Sequence, residues 1–366
     1  MRLAVDVMGG DHGAGVVVAG AVAALDPSPA PAPASSASAS SASASPASIR
    51  ELILVGNEAE IRRHPIAPEH LARVRILHAS EVVTMDDGPR DVLRRKKDSS
   101  MVRAIELVSR GEADAVLSCG NTGCLLAAST IRLRRLPGID RPGIATVIPT
   151  PENEFVLLDA GANVESKPIH LAHYAIMGSV YSSQVLGYKH PRVGLLCNGT
   201  EETKGNELTQ DAYRLCRQLN LNFVGNVEGH DLFAGRVDVV ICDGFVGNIT
   251  LKTAESLAKG MFRLLKRELM ASPWRRLGAW IARGAFRSIR NRMDPDMYGS
   301  APLLGLNGVV FKAHASATER AVRNGIRLAA QAFQHHLNDR IAAGIADAAR
   351  RLGADPLASA PSSAPE

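Results

Sequence analysis

Two carboxylates and a histidine, Asp6, Asp11 and His12, bracket a glycine pair in the run Val5-Asp6-Val7-Met8-Gly9-Gly10-Asp11-His12-Gly13. Paired glycines reach backbone torsions closed to other residues and let a ligand come close to the main chain. The apolar residues 3–7 read as a strand, and open α/β sheets place ligands at the carboxyl ends of their strands. The same arrangement recurs in Leu117-Ser118-Cys119-Gly120-Asn121-Thr122-Gly123, where a strand ends and a helix begins. Backbone N–H groups at a helix start attract anions, although Thr122 as a plain helix cap is the bland alternative. Ile241-Cys242-Asp243-Gly244-Phe245-Val246-Gly247-Asn248 and Leu158-Asp159-Ala160-Gly161-Ala162-Asn163 repeat the pattern. Residues 197–207 follow another strand and supply Lys204, the amides Asn198 and Asn206, and the carboxylates Glu201, Glu202 and Glu207. Five such turns along one sheet edge would form a single anion-binding cleft.

No recognised nucleotide fingerprint accompanies these turns. A GxGxxG after a strand, a GxxxxGK[ST] loop and a GxSxG elbow are all missing. The His, Cys, Asp and Glu spacing gives no metal cage, so no metal and no cofactor are expected. The five cysteines, Cys119, Cys124, Cys197, Cys216 and Cys242, form no CxxC pair. Most lie in apolar runs and read as reduced, buried thiols. The chemistry expected is therefore that of backbone donors, amides and a few charges acting on a phosphate-like anion.

Two basic regions stand apart from the turns. Arg90, Arg94, Arg95, Lys96 and Lys97 crowd one short stretch, either as a solvated face or as a dock for an acidic partner. Residues 261–292 carry nine cations against the single acid Glu268, a net +8 in a chain of formal charge +5, so the remainder is at −3. At helical period Leu277, Trp280 and Ile281 fall on one side, with Ile289 at its edge. Arg276, Arg283, Arg287 and Arg290 fall on the other. Both tryptophans of the chain, Trp274 and Trp280, lie here. That is the pattern of an interfacial amphipathic helix on an anionic membrane. Packing on the protein's own core or on a dimer mate is the alternative.

Strands and helices must alternate to deliver these turns. Strands are expected at 52–55, 74–77, 115–117, 144–148, 155–158, 193–197 and 237–242, and helices at 99–109, 124–135, 169–186, 207–219 and 249–269, with 317–349 also helical. Continuous apolar strands between helices imply a largely parallel sheet covered on both faces. With 46% hydrophobic but 4% aromatic residues, the core must be aliphatic. Residues 27–48 contain only Pro, Ser and Ala, and read as a disordered insertion in one large α/β domain spanning 1–350. The tail 354–366 reads the same way. No apolar run approaches the length of a membrane span, and no signal peptide is read, so a cytoplasmic protein is expected.

Motif by motif, the chain resembles the bacterial phosphate acyltransferase (PlsX) family, fatty-acyl-[acyl-carrier-protein]:phosphate acyltransferases. The segments that carry the likeness are VDVMGGDHG at 5–13, HASEVVTMDD at 78–87, RRKKDSSM at 94–101, GNTG at 120–123 and LPGIDRPGIATVIPT at 136–150. They continue with DAGANVE at 159–165, KGNEL at 204–208, GNVEGHDLF at 225–233, CDGFVGNITLKT at 242–253 and APLLGLNGVVFKAH at 301–314. The resemblance implies acyl transfer from acyl carrier protein to inorganic phosphate, giving acyl phosphate for phospholipid synthesis. It implies a three-layer α/β/α Rossmann-like fold similar to phosphotransacetylases and isopropylmalate dehydrogenases. It also implies a homodimer peripherally associated with the inner face of the cytoplasmic membrane, with no nucleic-acid partner. Cys119 and Cys124 flank GNTG where the family has small residues, which argues against a required cysteine nucleophile. Asn198-Gly199-Thr200 departs from the family's Ile-Gly-Glu type run.

The expected mechanism is direct attack of a phosphate oxygen on the thioester carbonyl. Gly9, Gly10, Gly120, Thr122, Gly123, Gly244 and Gly247 would cradle phosphate. Asn121, Asn206 and Asn248 would orient phosphate and oxyanion, and Lys204 would offset negative charge. Asp6, Asp243 and His12 would position these groups or relay a proton, or else merely stabilise turns. The acidic carrier protein would dock on Arg90, Arg94, Arg95, Lys96 and Lys97. Leu277, Trp280, Ile281, Arg276, Arg283 and Arg287 would meet the membrane. The rivals are a phosphotransacetylase acting on acyl-CoA, which needs neither basic region, and a non-enzymatic scaffold for the carrier protein, which has no use for the turns.

Overall fold

The computed structural model describes residues 1–26 and 49–353. The expected disordered insertion at 27–48 and tail at 354–366 lie outside the described residues. The amino-terminal half runs β1 (Arg2–Asp6), α1 (Ala14–Ala23), β2 (Glu51–Gly56), α2 (Glu58–Ile61), α3 (Pro68–Leu71) and β3 (Val74–His78). Next come α4 (Pro89–Arg94), α5 (Ser100–Ser109), β4 (Ala115–Ser118) and α6 (Thr122–Leu133). The middle of the chain gives β5 (Gly143–Pro149), β6 (Glu154–Leu158), α7 (Pro168–Gln184), β7 (Val193–Leu196), α8 (Glu207–Cys216), β8 (Phe223–Val227) and β9 (Val239–Ile241). Three consecutive helices follow, α9 (Gly244–Met270), α10 (Pro273–Ile281) and α11 (Arg283–Arg292). The chain then returns through β10 (Ser300–Leu304), β11 (Val309–Ala313), α12 (Glu319–Gln334) and α13 (Leu337–Arg351).

Among the described residues, eleven strands join one sheet in the order β3-β2-β1-β4-β11-β10-β5-β6-β9-β7-β8. Alternate residues of a strand serve opposite faces. Leu3 and Val5 accordingly enter one core with residues of α1, α7, α8, α12 and α13, while Ala4 enters another with residues of α5 and α6. Two cores on one sheet make the three-layer α/β/α arrangement that the strand–helix alternation implied. The cores are aliphatic, as the scarcity of aromatics required.

Pairing is parallel except at β10–β11, β5–β10 and β5–β6. Three reversals lie between β11 and β6. The strands β6, β9 and β7 therefore run opposite to β1, β4 and β11, and the carboxyl ends of the two sets fall on opposite edges of the sheet. This corrects the expectation of five turns along one edge: the turns after β1 and β4 share one edge, and those after β6, β9 and β7 share the other. The sequence pattern gives no sign of the reversal, because β10 and β11 lack a long continuous apolar run. Pro302 and Gly305 interrupt the apolar run there.

Candidate functional site

At the first edge, the turns after β1 and β4 touch each other. A Cβ on Gly9 would sit 2.6 Å from the Gly120 nitrogen, so only glycine allows that approach. Beneath them lies Asp6, 1% exposed. Its carboxylate accepts Ser100 Oγ–H and Ser118 Oγ–H, each at 2.6 Å, and Ser118 Oγ in turn accepts the Gly120 N–H at 3.0 Å. Burial pushes the Asp6 carboxyl above the usual range, while the serine hydrogen bonds oppose the shift. A carboxylate enclosed in this way ties the two turns together. His12, by contrast, is exposed.

The third strand of this edge brings residues to which sequence reasoning gave no role. Lys312, near the end of β11, donates to the backbone carbonyls of Cys119, at 3.3 Å, and of Ala313. Desolvation pulls its ammonium down to about 8. His314 follows, its Nδ1 2.8 Å from Ser316 Oγ, and burial lowers it below the ordinary imidazole range, with Lys252, Lys312 and Lys259 adding to the effect. The loop is tied to the first turn by Asp11 N–H donating to the Ala315 carbonyl at 2.8 Å. The available signal is the position of Lys312 and His314 just after the short apolar run Val309-Val310-Phe311, which is too brief to mark a strand by itself.

Asn121 caps α6, its side-chain oxygen accepting Cys124 N–H at 3.1 Å. Its amide nitrogen donates to the carbonyls of Met85 and Asp87 at 2.9 and 3.2 Å. The side chain is thus spent on holding the 84–88 loop against α6, and Asn121 shapes the turn rather than offering a free donor. The amides that remain are those of the first turn of α6, Thr122 and Gly123, which have no partner within the helix. The basic stretch follows this loop, on α4 and the turn after it. Lys96 is already committed, donating to the Val82 carbonyl at 2.8 Å and pairing with Asp87. Arg90, Arg94, Arg95 and Lys97 are exposed, with Arg95 3.5 Å from Asp91. Four cations, not five, face solvent beside the Asn121 turn.

The second edge is built on Asp159. Its carboxylate accepts the N–H groups of Ile144, Gly161, Ala162 and Asn163 and the Asn163 side-chain amide, all at 2.8–3.1 Å. Asp243 caps α9 through Val246 N–H at 2.9 Å. Gly244 and Gly247 are filled by this junction: a Cβ on Gly247 would lie 1.9 Å from the Asp159 carbonyl oxygen, and one on Gly244 2.5 Å from that of Asn163. Their freedom serves the protein's own chain, which leaves Asn248, exposed and packed against Gly161, as the outward group. Asn206 caps α8 by accepting Thr209 N–H at 3.0 Å. Lys204 is exposed on the loop before it and has no ion pair among the described residues.

Helix α9 connects the two edges. Twenty-seven residues long, it starts beside Asp159, and its Lys252, Glu255 and Lys259 act electrostatically on His314. No hydrogen bond or ion pair links the two sets of turns directly among the described residues.

Beyond its first turns α9 leaves the sheet. The single amphipathic helix expected over 261–292 is instead the end of α9 followed by α10 and α11, with Ser272 capping α10 and a break at Ala282. No residue of α10 or α11 is buried, so packing on the chain's own core is excluded for them. Trp274, Trp280 and Ile281 are 82%, 60% and 70% exposed. The faces are less separate than expected, because the Arg283 guanidinium lies 4.7 Å from the centre of the Trp280 ring. Among the described residues, no helix is long and apolar enough to cross a membrane, and no cluster of metal-ligating side chains occurs.

Both the sequence and the fold have relatives among known proteins. A family described as fatty acid synthesis protein matches residues 32–340. The chain is 47% identical over 335 residues to a phosphate acyltransferase of Desulfitobacterium hafniense, covering 91% of this chain and 94% of the relative. It is 45% identical over 355 residues to a phosphate acyltransferase of Desulforudis audaxviator, covering 97% and 99%. Among solved structures, a phosphotransacetylase from Streptococcus pyogenes aligns with a TM-score of 0.53 at 18% identity, over 78% of this chain and 86% of that one. A branched-chain phosphotransacylase from Enterococcus faecalis aligns with a TM-score of 0.51 at 14% identity, over 92% and 100%. At those identities the likeness is one of fold.

Proposed function

The chain belongs to the fatty acid synthesis protein family, whose curated relatives are phosphate acyltransferases, and from that premise we propose that it moves a long-chain acyl group from acyl carrier protein to inorganic phosphate. It is an acyltransferase. A phosphate oxygen adds to the thioester carbonyl, the C–S bond breaks, a C–O bond forms, and the phosphopantetheine thiolate leaves and takes up a proton. Phosphate is already nucleophilic at neutral pH, so no strong base is required. Backbone amides around Gly9, Gly10, Thr122 and Gly123 receive the anion, the Gly120 N–H being already given to Ser118 Oγ. The oxyanion develops at the carbon bonded to that phosphate oxygen, so first-edge donors must meet it, and the exposed Asn248 and Lys204 of the second edge are left to hold the acyl donor.

The observation that carries the carrier-protein reading is the Asn121 side chain. Its bonds to the Met85 and Asp87 carbonyls seat the exposed cations Arg90, Arg94, Arg95 and Lys97 directly beside the proposed phosphate turns. An acidic carrier docked there would deliver its acyl thioester next to them. The test mixes purified protein, palmitoyl-loaded acyl carrier protein and phosphate, and detects acyl phosphate. The phosphotransacetylase fold favours a second reading, with acyl-CoA as donor. Equal rates with palmitoyl-CoA, undiminished by charge reversal at Arg94 and Arg95, would establish it.

Helices α10 and α11 present apolar and cationic side chains together, the two signals that reversible anchoring needs. We infer peripheral association with an anionic leaflet, in a homodimer. Vesicles containing anionic lipid should bind the protein and release it as salt rises. Trp280→Glu should abolish binding while leaving solution activity intact, and binding that ignored both lipid charge and Trp280 would remove α10 from this role.

A further inference from the structure

Three strands of the first edge end around one ammonium. Lys312 rises from β11, bonds the Cys119 carbonyl just ahead of Gly120 on β4, and lies within electrostatic reach of Asp6 on β1 and Asp11 in the turn beyond it. An ammonium has three N–H donors. The carbonyls of Cys119 and Ala313 take two of them, and among the described residues the third has no partner. Asp6 is near, but its oxygens already accept Ser100 and Ser118, and it forms no ion pair with Lys312 within salt-bridge distance. A half-buried cation with an unspent donor beside close-packed glycine turns fits an anion better than it fits a purely structural role.

We propose that Lys312 binds the inorganic phosphate, so that the edge formed by β1, β4 and β11, and not the loop carrying Lys204, is the seat of the acceptor. The proposal rests on the phosphate acyltransferase reading and assigns that site's acceptor half. It carries a pH signature. The charged and titratable groups facing Lys312 are Asp6 from β1, Asp11 from the turn after it, Cys119 from the end of β4, Lys252 from α9 and His314 from its own loop. Desolvation dominates over these and lowers the ammonium to about 8. The cation is therefore present below about pH 8 and lost above it, and phosphate affinity weakens as pH rises through that value.

Two measurements on the whole protein decide the matter. Calorimetric titration with inorganic phosphate at pH 7 should show Lys312→Met binding at least about tenfold more weakly than wild type. In turnover, its KM for phosphate should rise by a similar factor, while KM for the acyl donor stays within about twofold. For wild type, kcat/KM for phosphate should fall between about pH 8 and about pH 9.5, and Lys312→Arg should move that fall to higher pH. A phosphate KM unchanged in Lys312→Met, or both KM values raised alike, overturns the proposal. Should Lys312→Met fail to fold, a flat wild-type profile over that pH range overturns it instead. Lys312-dependent phosphate binding without acyl phosphate formation from any donor would sink the enzymatic reading and leave the phosphate site standing.

Discussion

The turns at the ends of β1 and β4 and those at the ends of β6 and β9 share one sequence signature: an apolar strand, glycines beside an acid or, after β4, the amide Asn121, then a helix. They differ in what fills the glycines. Around Asp159 the protein's own backbone occupies the space at Gly244 and Gly247, and the carboxylate accepts five N–H groups. At the first edge Gly9 and Gly120 press on each other, but Gly10 and Gly123 meet nothing closer than 3.4 Å. One signature therefore builds a rigid junction in one place and an open cradle in the other. The discriminating quantity is the distance from a hypothetical Cβ to its nearest neighbour, which no residue pattern encodes.

A single methyl group tests the contrast most severely. Gly247→Ala places a Cβ against the Asp159 carbonyl and should destabilise the fold by about 3 kcal/mol or prevent folding, as overpacking against fixed backbone does. Gly10→Ala, whose Cβ would lie 3.4 Å from the Ala315 carbonyl, should keep its melting temperature within a few degrees yet raise the KM for phosphate. Thermal melts of both variants check this, and equal losses would erase the distinction between junction and cradle. Asp159→Asn should cost about 2 kcal/mol in denaturant titrations, because the new amide nitrogen faces donors that the carboxylate accepted. A neutral effect would show that the five N–H groups find other partners.

Smaller in energy, but decisive for chemistry, are the exposed groups beyond the junction. Lys204→Ala and Asn248→Ala should each lower turnover at least about tenfold, near 1.4 kcal/mol of transition-state stabilisation, with melting temperature unchanged. Both are exposed and outside the packed core, so stability should not register their loss. Wild-type rates in both variants would confine the reaction to the first edge.

Much of this was legible from residues. Strand–helix alternation gave the three layers, and most strand positions fell within a residue or two of those observed. The glycine turns and the basic stretch stand where the sequence places them, whereas the cap of α6 is Asn121 and not Thr122. The edge assignment was not, because direction within a sheet depends on the antiparallel insertion of β10 and β5 between the two halves, and that is a property of pairing rather than of periodicity. Lys96 and Asn121 were read as free donors because their partners, Asp87 and the carbonyls of Met85 and Asp87, are backbone and side-chain atoms of a loop whose path the sequence does not reveal. The exposure of α10 and α11 followed from their charge, whereas the break at Ala282 has no marker beyond the helix-weakening Gly284.

The smallest effect belongs to the cysteines, and here the two edges should behave alike. Cys119 ends the run of β4 and Cys242 that of β9, each just ahead of its glycine turn. Burial pushes the Cys119 thiol up to about 12 and the Cys242 thiol well above the ordinary value, so neither is a thiolate at neutral pH. Without a thiolate neither is a competent sulfur nucleophile, in keeping with the proposed passage of the acyl group straight to phosphate. Cys119→Ala should therefore retain activity within about twofold and lose at most about 1 kcal/mol of stability for the small void left behind. Cys242→Ala should do the same at the other edge. Native protein should resist iodoacetamide at both positions at neutral pH and react after denaturation. An acyl-enzyme thioester trapped at Cys119 would replace direct attack with a two-step transfer, and would make the first edge the site of covalent chemistry as well as of phosphate.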